Sequence, residues 1–171
     1  GGTEYVLKFY RYGLKPKKEI TEKTRSLGYE HVVKVEKSGE VASKYYEILE
    51  KIKHGDLDEY AGGKPLTEKK LKVVVKELGS AVAHLHEVGI IHRDIKPGNV
   101  MVRTLEPLDL VLIDFGISSL GDASLHMTSV NRTAPYSAPE AFLGQVSKGS
   151  DWWCVGVIIL KLLQGKHPLE G

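Results

Sequence analysis

The sequence predicts an α+β fold in which a small strand-rich part with one helix precedes a larger, mainly helical part. Three observations carry this. Residues 4–10 alternate Tyr5, Leu7 and Phe9 with Val6 and Lys8, a period of two. Leu71, Val74, Val75, Leu78, Val82 and Leu85 recur instead at helical spacing. Residues 152–163 form an apolar stretch that reads as a buried helix.

Taken in order, the strand at 4–10 is expected to bury at least one face. Pro16 suits the first turn of a helix that Gly28 closes, and Ile20 and Leu27, seven apart, share its inner face. Residues 31–36 and 45–52 read as a strand pair joined through Ser38-Gly39-Glu40. Thr67 is a good helix cap, with Leu66 and Leu71 placed as a hydrophobic staple around it. The long amphipathic helix that follows runs to about Val88, before Gly89. Short strands at 100–102 and 111–113 bracket a turn at Glu106-Pro107. A polar segment rich in Ser, Gly and Thr spans 116–139, and Gly165 and Pro168 stop the last helix.

Composition narrows the function classes. With 171 residues, 42% hydrophobic and 27% charged, the chain is neither disordered nor collagen-like nor a coiled coil. The length allows one domain, built in two parts. A net charge of +2 gives no reason to expect a nucleic-acid partner. The single cysteine, Cys154, cannot form an intrachain disulfide, which fits a reducing compartment. No apolar run reaches membrane-spanning length and no signal peptide is evident, so a cytoplasmic location is expected.

The chemistry concentrates in four ordered motifs. His92-Arg93-Asp94-Ile95-Lys96-Pro97-Gly98-Asn99 falls in the loop after the long helix. Asp114-Phe115-Gly116 ends a strand, Ala138-Pro139-Glu140 closes the polar segment, and Asp151-Trp152-x-x-x-Gly156 opens the last helix. Any one of these is a weak signal, whereas the ordered set is very specific.

Together the motifs resemble the eukaryotic-type protein kinase family, in its Ser/Thr branch, from Val6-Leu7-Lys8 to Gly165. The resemblance implies a bilobal kinase-like fold in one domain, 1–171, with a partial small lobe at 1–52 and a partial larger lobe at 53–171. It implies ATP and Mg²⁺ as cofactors and a protein as substrate. Phosphoryl transfer needs oxygen ligands that hold Mg²⁺ against the phosphates, and the matching positions are Asn99 and Asp114. A carboxylate must meet the attacking hydroxyl, the place of Asp94. Lys96, on the same loop, would offset charge near the transferred phosphate, and a Lys there points to Ser/Thr substrates. Thr133, in Arg132-Thr133-Ala134-Pro135-Tyr136, matches the Thr that orders the base and the substrate loop.

The nucleotide side follows from the same resemblance. Tyr5-Val6-Leu7-Lys8 is similar to the strand that aims a lysine at the α/β-phosphates. Its acidic partner is expected on the next helix. At 100° per residue Glu19 falls about 80° from Leu27 and Glu22 about 140°, so Glu19 is preferred, with Glu22 as the alternative. Residues 48–57 look like the strand-to-hinge segment. Leu49 would be the gatekeeper, the backbone of Glu50 and Ile52 would bind adenine, Asp56 would reach the ribose, and Met101 would floor the base.

Other features read as structural. His84 and His86 alternate at a helix end and do not suggest a metal site, while His92 is expected to pack near Phe115. Lys15, Lys17 and Lys18 read as a solvated helix start, and Cys154 as inert core. Among Ser124, Thr128 and Ser129, Thr128 is the favoured phosphorylation site, acting through Arg93. The sequence departs from the family in two places. The paired strands and Gly-rich loop that would precede the Lys8 strand have no counterpart, nor do the last C-terminal helices and the Arg that would pair with Glu140. The chain therefore reads as a minimal kinase or a fragment. Two other functions compete: a non-catalytic pseudokinase or regulatory fragment, and a small-molecule phosphotransferase. The latter resemble His-Gly-Asp where this chain has His92-Arg93-Asp94.

Overall fold

The computed structural model describes residues 2–11, 15–115, 118–120 and 134–168. Three antiparallel strands form the first sheet, in the order β1 (Tyr5–Phe9), β3 (Lys44–Glu50), β2 (Val35–Val41). β1 is an edge strand, and neither of its faces is buried: Tyr5, Val6, Leu7 and Phe9 are all exposed. The expectation of a buried face fails because alternation reports a pleat, whereas burial needs an element to cover it. The β2–β3 turn also differs from the expected one. It lies at Ala42 and Ser43, with φ of 48° and 58°, a two-residue loop whose twist suits a hairpin. Ser38-Gly39-Glu40 lies inside β2. A Cβ on Gly39 would stand 2.8 Å from the Tyr46 hydroxyl, so that glycine makes room for a ring.

Helix α1 (Lys18–Ser26) buries Ile20 and Thr24, with Leu27 buried just beyond its end. The next segment crosses to the larger part. Leu112 N–H donates to His31 O at 2.9 Å, and Val33 N–H to Leu112 O at 3.1 Å. Arg103 fastens this crossing. Its guanidinium reaches Glu50 Oε1 at 2.7 Å, Asp109 Oδ2 at 3.1 Å and the carbonyls of Tyr29 and Val32 at 3.2 and 3.0 Å.

The larger part is built on α3 (Glu68–Glu87), capped by Thr67, whose Oγ1 accepts from Lys70 N–H at 3.4 Å. Val74, Leu78, Ala81, Val82 and Leu85 are buried, so most of the helical spacing read from the sequence is the core stripe, while Val75 is exposed and Leu71 half-buried. The β5 (Val100–Leu105) and β6 (Leu108–Leu112) hairpin and α5 (Lys148–Gln164) pack against α3. Between α3 and β5, the short β4 (Ile90–Ile91) pairs with β7 (Ser119–Leu120). Helix α4 (Pro139–Phe142) precedes α5. Only one face of α5 is inside: Asp151, Cys154, Val155, Ile158 and Leu162 are buried, while Trp152, Trp153, Leu160 and Leu163 are exposed. At its end Gly165 takes φ 75°, and a Cβ there would meet Pro65 at 2.6 Å. Among the described residues no helix is long and apolar enough to cross a membrane.

Candidate active site

The site is organised around a carboxylate buried inside the larger part. Asp151, on the first turn of α5, is fully buried. Its Oδ2 accepts from His92 N–H at 2.9 Å and lies 2.8 Å from His86 Nε2; its Oδ1 accepts from Arg93 N–H at 2.9 Å. Arg93 has φ 74°, a conformation costly for a side chain with a Cβ. Asp151 thus holds a strained turn of the loop in place. His92 completes the support. Its Nε2 donates to Ile113 O at 2.9 Å, leaving Nδ1 to accept from Asp94 N–H at 3.3 Å, and its ring lies 5.1 Å from that of Phe115. The sequence motif contains Asp151, but its role in bracing this loop was not foreseen.

On that braced loop Asp94 is held on two sides. Asn99 Nδ2 donates to Asp94 Oδ2 at 2.8 Å and to Asp94 O at 2.8 Å, and Lys96 Nζ lies 2.9 Å from the same Oδ2. Lys96 precedes and Asn99 ends the turn at Pro97–Asn99, which leads directly into β5. The Asn99 amide spends its N–H groups on Asp94, so its carbonyl oxygen is the end left for another ligand. Asp114 follows β6, with φ 64° and a half-exposed side chain. An anionic and a neutral oxygen suit a hard divalent cation, so these residues fit the Mg²⁺ that the resemblance implies.

The lysine strand departs from expectation. Lys8 Nζ pairs with Asp114 Oδ1 at 2.8 Å and lies 4.6 Å from the centre of the Tyr10 ring. Neither Glu19 nor Glu22 meets it. Both are exposed, and Glu22 pairs with Lys18 at 3.6 Å instead. The angular argument took Leu27 as the centre of the inner face. The side chains that α1 turns toward Lys8 are Ile20, Thr21 and Thr24, and on that face Glu19 and Glu22 are flanking positions.

The expected adenine side is assembled at the end of β3. Leu49 faces the same cavity as Lys8. The Glu50 side chain is engaged by Arg103 and by Lys34 N–H at 2.7 Å, which fixes the start of the hinge. The Ile52 backbone makes no hydrogen bond among the described residues, leaving both of its polar groups for a ligand. Asp56 forms a bridge with Met101 of β5, which places these two expected residues together. Asp56 also has a structural task unseen in the sequence. Its Oδ1 accepts from Glu59 N–H at 2.9 Å while Glu59 Oε2 accepts from Asp56 N–H at 3.2 Å, a capping box that starts α2 (Leu57–Ala61). That leaves Oδ2 for a ribose.

Three other expectations have outcomes. His84 pairs with Glu87 at 3.6 Å and His86 with Asp151 at 2.8 Å. Glu140 is accepted into the fold by Ser150, whose Oγ donates to it at 2.9 Å. Cys154 is buried, and its desolvation together with the nearby Asp151 pushes the thiol up to about 12, so it stays protonated and unreactive. Thr133, Ser124, Thr128, Ser129 and Gly116 lie outside the described residues.

Residues 13–171 match the family of the protein kinase domain. The chain belongs to the protein kinase family. Its fold is the α+β fold of that domain, with a small sheet and one helix ahead of the helical part. The matched span starts after β1, so the placement of Lys8 rests on geometry. Curated relatives agree on the branch. The chain is similar to a probable myosin light chain kinase of Dictyostelium discoideum, 33% identical over 152 residues, covering 84% of this chain and 48% of the relative. It is similar to the serine/threonine-protein kinase AtPK1/AtPK6 of Arabidopsis thaliana, 32% identical over 160 residues, covering 92% and 33%. Serine/threonine-protein kinase PrkC of Bacillus subtilis is 34% identical over 151 residues, covering 85% and 23%. The chain thus spans less than half the length of these relatives.

Proposed function

We propose that this chain transfers the γ-phosphate of ATP to Ser or Thr hydroxyls of protein substrates. The observation that carries the reading is the double grip on Asp94. A carboxylate clasped by Asn99 and Lys96, on a loop braced by Asp151, is oriented to accept the proton of an attacking hydroxyl. Lys96 then stands beside the same reaction coordinate, where its charge offsets that of the transferred group. Asp114 and Asn99 would hold Mg²⁺, which when bound supplies charge neutralisation at the phosphates. Lys8 would bind phosphate oxygens. Leu49, the Glu50 and Ile52 backbone, Asp56 and Met101 would form the nucleoside slot, and Thr133 would order the substrate loop by family resemblance. In this reading residues 1–52 and 53–171 are the two lobes of one domain.

Transfer of labelled γ-phosphate to a generic basic protein tests the reading. The expected result is Mg²⁺-dependent labelling by the wild type and near loss of it in Asp94→Asn. One observation favours a non-catalytic regulatory role instead: neither Glu19, the α1 acid expected to hold Lys8, nor its alternative Glu22 pairs with it. Nucleotide binding without transfer in the wild type would establish that second role.

A further inference from the structure

Lys8 faces a cavity of about 30 Å³ between the first sheet, α1 and Asp114. Among the residues that line it, Lys8 is the sole cation, and the acids are Glu47 and Asp114. α1 contributes Ile20, Thr21 and Thr24, none of them charged.

Glu47 is placed differently from the acids of the helix. It stands directly opposite Lys8 in the β1–β3 register, so the two side chains leave the sheet on the same face. It is 6% exposed. Its hydrogen-bond partner is the Tyr10 hydroxyl, which donates to Oε2 at 2.8 Å, and the Tyr10 ring in turn lies under Lys8 Nζ. Burial, together with the charge of Glu47, raises the Tyr10 phenol well above its ordinary range, which keeps it a donor. A carboxylate buried with one neutral donor is poorly compensated, and a cation beside it relieves the cost. Lys8 has the complementary need. Its partner here, Asp114, is one of the two oxygens suited to a divalent cation, so once Asp114 turns to that ion Lys8 requires a second acid.

We propose that Glu47, acting with Tyr10, is the positioning residue that holds Lys8 against the nucleotide, supplying from β3 the carboxylate that α1 does not present. The proposal rests on the kinase reading of the site.

Calorimetric titration of the 171-residue chain with Mg²⁺ and a non-hydrolysable ATP analogue tests it, alongside thermal unfolding without nucleotide. Glu47→Gln is expected to weaken analogue binding about tenfold, the scale of a lost charged hydrogen bond. Glu19→Gln and Glu22→Gln should leave it within about twofold. Because Glu47 acts through Lys8, Glu47→Gln should cost nothing further in a Lys8→Met background. Tyr10→Phe, alone and with Lys8→Met, carries the same comparison should Glu47→Gln fail to fold. Equal losses in both backgrounds would overturn the proposal, as would binding by Glu47→Gln equal to the wild type or a larger loss in Glu19→Gln. Failure of the kinase reading looks different: the wild type itself then binds no Mg-nucleotide, and both fall together.

Discussion

The loop at Asp94 and the strand at Lys8 carry complementary halves of the proposed site, yet they are held in very different ways. Asp94 sits on a loop whose backbone donates twice to a fully buried carboxylate, itself paired with His86, and its own side chain is gripped twice. Lys8 sits on an edge strand whose apolar residues face outward, and its ion pair is half-exposed. Proton handling, the role proposed for Asp94, demands placement within a fraction of an ångström, and that half is built into the core. Phosphate binding, the role proposed for Lys8, tolerates a long side chain, and that half rests on the pairing of an edge strand and one part-exposed ion pair. Rigidity therefore tracks chemical demand across this molecule.

The sharpest way to test that division is to separate binding from turnover. Asp94→Asn should lower turnover by roughly 10²- to 10⁴-fold, the usual worth of a general base, while leaving Mg-nucleotide affinity nearly intact. Asp114→Asn should abolish Mg²⁺-dependent nucleotide binding, because a charged oxygen ligand is lost. Thermal-shift titration with Mg-ATP distinguishes them, and identical losses of binding would dissolve the assignment of separate roles.

Next in size is the brace itself. Asp151→Ala strips the acceptor from His86 and from two buried backbone N–H groups, one of them in the strained Arg93 turn. A cost of about 3–5 kcal/mol is expected, as for breaking other buried charged networks, with Asp151→Asn falling below it because an amide oxygen still accepts. Urea unfolding reads both. If Asp151→Ala cost under about 1 kcal/mol, the loop would owe its shape to something else.

The same contrast explains what could be read in advance. Periodicity located α3 and its core stripe, because a helix face against a core has one solution. Motif spacing brought Asp94, Lys96 and Asn99 together, because all three lie on eight consecutive residues. Where a site depends on elements meeting from afar, the sequence was a poorer guide. The face α1 turns to Lys8 depends on how the helix docks, which Ile20 and Leu27 alone do not fix, and so neither Glu19, the preferred partner, nor Glu22, the alternative, meets Lys8. Gly39 shows the same limit: the letter announces an unusual neighbour but not whether that neighbour is a turn or a tyrosine ring. The α2 capping box and the Arg103 crossing were missed because Asp56 was assigned only to the ribose and Arg103 lies in no motif that marks its partners.

A further variant probes the seam between α4 and α5. Ser150 is buried, donates to Glu140 and accepts from Ser147 N–H at 3.2 Å. Ser150→Ala should destabilise the chain by about 1 kcal/mol, the net worth of a typical hydrogen bond. Urea unfolding checks this, and a loss near the Asp151→Ala value would extend the rigid region past the loop into α4.

The smallest effect is expected on β1. Leu7 is 56% exposed, whereas Leu78 of α3 is fully buried. Leu78→Ala opens a cavity in the core and should cost roughly 2–5 kcal/mol. Leu7→Thr opens none. It keeps a residue suited to a strand, leaves the backbone pairing with Ile48 of β3 in place, and should change stability by no more than about 0.5 kcal/mol. Lys8 stays in register in this variant, so Mg-nucleotide affinity should follow the wild type as well. Unfolding and titration of the same preparation measure both. A loss of affinity without a loss of stability would mean that the lysine strand is positioned by its outward side chains and not by its pairing, and the contrast between a braced base and a loosely held lysine would have to be redrawn.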